Sequence, residues 1–232
     1  MLGTIVNAGA VIAGGLIGLC LKQGVPDRYK DMALNGAGLA TIVLGLNAAI
    51  GNLAQQNITP ILLIICLVTG SLLGEKLDLD KKMKGIGDSL ERRMSKTKGN
   101  ISKGFVTSSL LFCTGSMAIL GALDSGIHAD HSILYAKSVL DGTMSIVFAS
   151  SMGLGVLFSS ISVFVYQGSI TLLASFIAPF LTSYMIAGIA TIGGVIMVAL
   201  GLNLLKITDI KIANMLPSLF VPVAYYAIIA LF

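Results

Sequence analysis

Eight long apolar runs, each closed by charge, proline or a polar cluster, decide what this chain can become. They occupy residues 2–21, 33–50, 58–73, 105–123, 134–157, 163–181, 185–205 and 212–232. A helix that crosses a bilayer needs about 20 apolar residues, so eight crossings take roughly 160 and leave about 70 for connections. Charged residues make up only 11% of the 232, where a soluble domain carries about 25%. The mean hydropathy is +0.92. Soluble enzymes, secreted domains and nucleic-acid modules are excluded on this ground, and the expected fold is an all-α polytopic bundle of about eight transmembrane helices. The boundary at Ser159-Ser160-Ile161-Ser162 carries no charge, and seven spans with a re-entrant piece is the competing count.

The first run begins at Leu2 with no positive stretch before it, which reads as a permanent span rather than a cleaved leader. Cys20, Cys66 and Cys113 each lie inside an apolar run without CxxC or Cys/His spacing. They read as small buried hydrophobes, and neither a disulfide nor a zinc site is expected. Lysines and arginines orient the chain. Segment 75–103 holds nine basic and five acidic residues and so supplies the whole net charge of +4. With it in the cytoplasm, fourteen of the fifteen basic residues fall on that side and only Lys137 lies outside. Both termini then face outward. Within the segment, Leu79, Met83, Ile86, Leu90 and Met94 recur at three- and four-residue spacing, an amphipathic helix. It either lies on the inner leaflet against anionic lipid or caps the bundle as a solvated connector.

Self-similarity suggests how the spans are organised. Tyr29 opens a pattern that ends Leu34-Asn35-Gly36, and Tyr135 opens one that ends Leu140-Asp141-Gly142. The first enters span two and the second span five, which run in opposite directions across the membrane. The expected domains are therefore a first membrane repeat at 1–74, the basic linker at 75–103, a second, inverted repeat at 104–181 and two further spans at 182–232. Inverted repeats are the recurrent plan of secondary transporters, with the site near the midplane. A second echo, Leu44-Gly45-Leu46-Asn47 with Leu200-Gly201-Leu202-Asn203, departs from that scheme and reads as shared small-residue packing.

An ionisable side chain in hydrocarbon costs about 2.5 kcal/mol or more, which marks any that is retained there as a functional candidate. Asp141 is the foremost one, with Lys137 one turn earlier as partner. If span five starts as late as Ser138, Asp141 instead sits at the surface. Asn35 is the pseudo-symmetric counterpart of Asp141, and Asn7 and Gln167 complete the expected substrate or ion site. Asn47, Asn203 and several hydroxyls, Ser145 among them, also lie within spans. Interhelical hydrogen bonds from such groups contribute about 0.6–2 kcal/mol, which makes structural glue the plain role for any one of them.

Gly14-x-x-x-Gly18 and Gly70-x-x-x-Gly74 are small-residue packing motifs. Pro179, Pro217 and Pro222 mark kinks or ends. No GxGxxG or Walker pattern is present, so no cofactor is implied. His128 and His131, with Asp124 and Asp130, are metal-ligand types in one outer loop, and the plain alternative is a solvated loop. No nucleophile and base stand together as an enzyme would require, so no catalytic residue is assigned.

The opening Gly3-Thr-Ile-Val-Asn-Ala-Gly-Ala-Val-Ile-Ala-Gly-Gly resembles the start of the YqgA/YdfK-type bacterial membrane proteins. So do Gly115-Ser-Met-Ala-Ile-Leu-Gly-Ala-Leu, Asp130-His131 through Leu140-Asp141-Gly142, Phe148-Ala-Ser-Ser-Met-Gly-Leu-Gly-Val and Tyr166-Gln-Gly. The resemblance covers essentially the whole chain. It implies an inner-membrane protein with a transport role and a domain-of-unknown-function label, and it carries over no substrate or site residue. The expected function is a secondary transporter of a small ion or small polar solute, proton- or sodium-coupled. The expected partners are the lipid bilayer, that solute and a second copy of the chain, with no nucleic acid. The alternatives are a passive oligomeric channel and a module that docks a partner through its cytoplasmic helix.

Overall fold

A computed structural model of the chain describes residues 1–22, 26–54, 58–93 and 101–229. The described residues form helices and no strand. These are α1 (Leu2–Lys22), α2 (Asp27–Ala54), α3 (Pro60–Leu77), α4 (Leu79–Arg93), α5 (Ile101–Thr114), α6 (Ser116–Ile127), α7 (Ser132–Met152), α8 (Gly155–Ile177), α9 (Ser183–Leu204) and α10 (Val221–Ile229). A 3-10 turn at Ala178–Phe180 and a 3-10 helix at Ile212–Leu219 complete the order. The expected amphipathic helix is α4. Its Met94 lies outside the described residues, as do positions 230–232 of the eighth run.

Local chemistry sets the ends. Thr59 caps α3, its hydroxyl oxygen accepting from the Leu62 N–H at 3.3 Å, with Pro60 at the first helical position. Asp78 ends the same helix in the left-handed region at φ 50°, its N–H turned back on Glu75 and Gly74. Thr182 caps α9 by the same device, through the Met185 N–H. The break between the fifth and sixth runs falls at Gly153, whose φ of 88° suits glycine alone. The uncharged Ser159–Ser162 stretch, read as a weak boundary, lies instead inside α8. There Ser159 and Ser160 donate to the carbonyls of Val156 and Leu157, so their hydroxyls are satisfied without interrupting the helix.

Among the described residues six helical segments are long and apolar enough to cross a membrane, and α5 with α6, bent by 61° at their junction, makes a seventh if the pair is one span. By this measure of length and composition six or seven segments qualify, against eight apolar runs in the sequence. The run below the measure is α7, where Lys137, Asp141 and several serines lower the hydropathy. The eighth run survives, but it starts as the 3-10 helix that contains Pro217.

The chain folds into two units. The first comprises residues 1–37, 82–113 and 117–175. At its heart α1 packs along α7. Gly3 backs onto Leu134, Gly14 onto the Gly142 carbonyl and Gly18 onto the Ile146 carbonyl, so the two helices run parallel with backbone against backbone. Gly155 likewise meets the Ile101 carbonyl, seating the start of α8 on the start of α5.

The second unit comprises residues 38–81, 114–116 and 176–232. There α2 crosses α9 in antiparallel sense through a reciprocal set of glycines, Gly38 with Gly201 and Gly45 with Gly194. Gly70 and Gly74 of α3 abut Ser218 and Asn214 of the 3-10 helix so closely that a Cβ at either would collide with backbone. Asn214 binds that corner together. Its Oδ1 accepts from the Asp80 N–H at 2.7 Å, and its Nδ2 donates to Glu75 at 2.6 Å. Lys211 reaches the other Glu75 oxygen at 2.6 Å.

Candidate functional site

Three helices of the first unit bring polar side chains together. On α7 the Lys137 ammonium donates to Asp141 Oδ2 at 2.6 Å, one turn along the helix. From α1, Asn7 Nδ2 donates to the same Asp141 oxygen at 3.0 Å and to Gln167 Oε1 of α8 at 3.1 Å. A hydrogen-bonded chain thus runs from Lys137 through Asp141 and Asn7 to Gln167. Thr4 and Thr171 add a second layer, their hydroxyl oxygens 3.3 Å apart. Thr4 stands one turn before Asn7, and Thr171 one turn after Gln167, which puts each on the face its neighbour already uses. All six residues are buried, and Asn7 and Gln167 are wholly so.

The helices fix how deep this cluster lies. Asn7 is about 8 Å from the start of α1, Asp141 about 14 Å from the start of α7 and Gln167 about 15 Å from the end of α8, at 1.5 Å per residue. Because α7 starts at Ser132 and not at Ser138, Asp141 sits well inside its helix rather than at its mouth.

The ion pair is not arranged for helix stability. An acid ahead of a base at this spacing is the favourable order, and here Lys137 precedes Asp141. Burial instead makes each charge depend on the other, since a buried ion without its partner is heavily penalised. The Lys137 nitrogen also stands 6.0 Å from the centre of the Phe112 ring, at the outer edge of a cation–π contact.

The two amides are only half used. Among the described residues Asn7 Oδ1, Gln167 Nε2 and Ser145 Oγ, all buried, have no hydrogen-bond partner. Turning either amide over does not repair this. A flipped Asn7 would aim its carbonyl at the Asp141 carboxylate, and a flipped Gln167 would set one NH₂ group against another. Each such orphaned polar atom costs about 1–3 kcal/mol. An unsatisfied acceptor on Asn7 and an unsatisfied donor on Gln167 therefore lie beside the charge pair.

Residues 2–227 match the profile of a family described as a protein of unknown function, DUF554. The chain belongs to the DUF554 family. Two DUF554 relatives align almost end to end. The "Uncharacterized membrane protein YdfK" of Bacillus subtilis (strain 168) is 37% identical over 222 residues, 96% of this chain and 94% of its own. The "Uncharacterized protein YqgA" of Escherichia coli (strain K12) is 31% identical over 226 residues, 94% of this chain and 93% of its own. No solved structure matches. The apolar helices and the membrane-protein relative together make this DUF554 chain a membrane protein.

The structure gathers Asp141, Asn7 and Gln167 and leaves Asn35 apart. Asn35 lies exposed on α2, and nothing would meet a Cβ at the neighbouring Gly36 within 4 Å. Asn203 is occupied at the end of α9, accepting from Thr208 and the Ile210 N–H at 2.7 and 3.0 Å. At the end of α6 Asp124 faces His128 at 3.3 Å, and in the turn that follows Asp130 accepts from the Ser132 N–H and hydroxyl at 2.9 and 2.6 Å. Those bonds hold the Asp130 carboxyl below the usual carboxylate range. No three metal-ligand side chains come together among the described residues. The Thr4–Thr171 pair and the Asn214 node were not singled out in the sequence. The first was signalled only by its spacing from Asn7 and Gln167, and the second had no local signal.

Proposed function

We propose that this chain is a secondary transporter of a small ion or small polar solute, with Asp141, Lys137, Asn7 and Gln167 as its site. The observation that carries this reading is the buried Lys137–Asp141 pair with two half-used amides hydrogen-bonded to it. Interhelical glue needs neither opposite charges nor unsatisfied amide atoms, and opposite charges in an apolar protein are costly to keep. No bond-making chemistry is called for, and the protein works as a carrier without enzymatic activity or cofactor.

The basic residues orient it. Apart from Lys137, which is buried in the site, they belong to the 22–30, 75–103 and 206–211 segments. Placed in the cytoplasm of a bacterium, these segments put both termini outside the inner membrane. The cluster then lies between the outer headgroups and the midplane of a hydrocarbon core about 30 Å thick.

In the proposed cycle the solute parts the Lys137–Asp141 pair. Asn7 then loses its hold on α7, and α1 shifts along it. The glycine contacts at Gly14 and Gly18 offer little interlocking against that movement.

The test is solute and ion flux in liposomes containing the purified protein, wild type against Asp141→Asn. Solute-dependent proton or sodium movement that disappears in the variant is the expected result. Flux that needs the protein but is indifferent to Asp141 and to any ion gradient would point to a passive pore. No flux from folded protein for protons, sodium, divalent metals, amino acids or organic acids would overturn the proposal.

A further inference from the structure

We infer that the solute is a small zwitterion, carrying an ammonium and a carboxylate a few bonds apart. This rests on the transporter reading above and narrows it to a substrate class. The argument is one of charge balance. The buried ion pair sums to zero, held at 2.6 Å between side chains that are each less than one-tenth exposed. A lone cation taken by Asp141 would leave the Lys137 ammonium without its counter-charge. A lone anion taken by Lys137 would strand the Asp141 carboxylate. Either way one net charge stays in apolar surroundings, which is the costly state. A zwitterion sets an opposite charge against each member of the pair and leaves the sum at zero.

The unused atoms divide along the same line. For an ammonium the cluster offers the Asp141 carboxylate and the orphaned Asn7 Oδ1. For a carboxylate it offers the Lys137 ammonium, of whose three protons the Asp141 bond takes one, and the orphaned Gln167 Nε2. Charge-assisted hydrogen bonds of these kinds are about twice as strong as neutral ones. A neutral amide solute could use Asn7 and Gln167, but it could not replace the ion pair it must part. The size limit follows from the spacing. Successive hydrogen bonds of 2.6, 3.0 and 3.1 Å link all four residues, so the two charged ends of the ligand must be close together. Paired at 2.6 Å, Lys137 and Asp141 serve as each other's substitute for the two ends of the substrate.

The experiment uses the full chain in liposomes and four probes of nearly equal size. Glycine is the zwitterion, methylammonium the lone cation, acetate the lone anion and acetamide the neutral control, with alanine and β-alanine as longer zwitterions. Uptake is measured for wild type, Asp141→Asn, Lys137→Gln and the exchanged pair Lys137→Asp/Asp141→Lys, each checked for helix content and a single size in detergent. At least one zwitterion should enter at least about tenfold faster than any single-charge or neutral probe, the factor one lost charge pairing is expected to supply. Each single variant should lose uptake by a similar factor, and the exchanged pair should recover part of it because its charges again sum to zero. Uptake of methylammonium, acetate or acetamide equal to or above that of every zwitterion overturns the inference and leaves the transporter reading standing. Failure of the folded protein to move any of these probes, protons or sodium overturns both.

Discussion

Lys137→Met removes an ammonium and keeps an unbranched apolar chain at a buried position, leaving Asp141 to be held by Asn7 alone. Breaking a buried ion pair by removing one partner costs about 3–5 kcal/mol. Insertion scales set one uncompensated charge at the centre of a membrane helix at about 2.5–3.5 kcal/mol. The 3.0 Å hydrogen bond from Asn7 remains, so the lower end applies, and the expected loss is about 3 kcal/mol, a little over a hundredfold in the folding equilibrium. Asp141→Leu should cost as much by stranding Lys137. The double variant, with both charges gone, should lie within about 1 kcal/mol of wild type or above it, since apolar replacement of a buried pair is often neutral or stabilising. The coupling between the sites is then about 5 kcal/mol or more. The assay is reversible unfolding of all four proteins in mixed micelles with increasing denaturing detergent, followed by far-ultraviolet circular dichroism. The double variant should be folded and unable to transport, which separates the role of the pair in function from any role in stability. Additive single effects, or a Lys137→Met protein within about 0.5 kcal/mol of wild type, would refute the reasoning, because that is how a solvated, uncoupled pair behaves.

Three further outcomes follow from the packing and from the composition of the site. Gly74→Ala should destabilise by about 1–3 kcal/mol, because the added methyl meets the Asn214 backbone and disturbs the bonds that Asn214 makes to Asp80 and Glu75. Gly51→Ala, where nothing lies within 4 Å, should gain about 0.5–1 kcal/mol by the same unfolding assay. Asn35→Ala should leave liposome flux within about twofold of wild type while Asn7→Ala reduces it at least about tenfold, and a large loss at Asn35 would bring that residue back into the site.

What the sequence disclosed, and what it hid, can be traced to particular residues. The existence of α3 was legible as the 58–73 run, and its start at Pro60 is set by Thr59 and Pro60, but its extension to Leu77 was not read. The α7–α8 break was not, since Gly153 is one glycine among 27 and nothing local distinguishes the one whose φ turns positive. The serines at 159–162 misled because a serine inside a helix can discharge its hydroxyl onto the preceding turn. Asp141 stood out because a carboxylate in an apolar run is conspicuous on its own. Asn7 and Gln167 were visible as intraspan amides, but their meeting depends on α1 lying parallel to α7, which the sequence expresses only as glycine spacing. Asn35 entered the expected site through an assumed symmetry, and its exposed position on α2 shows that similar tripeptides, Leu-Asn-Gly and Leu-Asp-Gly, need not share an environment. The second echo has a packing explanation. Gly38 and Gly45, like Gly194 and Gly201, are seven residues apart, and the two pairs close α2 on α9.

The parallel seating of α1 on α7 also sets an order of assembly. Asn7 and Asp141 are 134 residues apart, and a ribosome adding about 5–20 residues per second needs roughly 7–27 s to travel that far. For that interval the nascent α1 holds a buried-type amide with nothing to grip. When α7 emerges it brings an ammonium and a carboxylate that cancel each other across one turn, on a segment too polar to count among the membrane-crossing helices by composition. Its entry into the bilayer is therefore favoured by a groove already in place, lined with Gly14, Gly18 and the Asn7 amide. The earlier-made α1 thus acts as the template that receives the more polar α7.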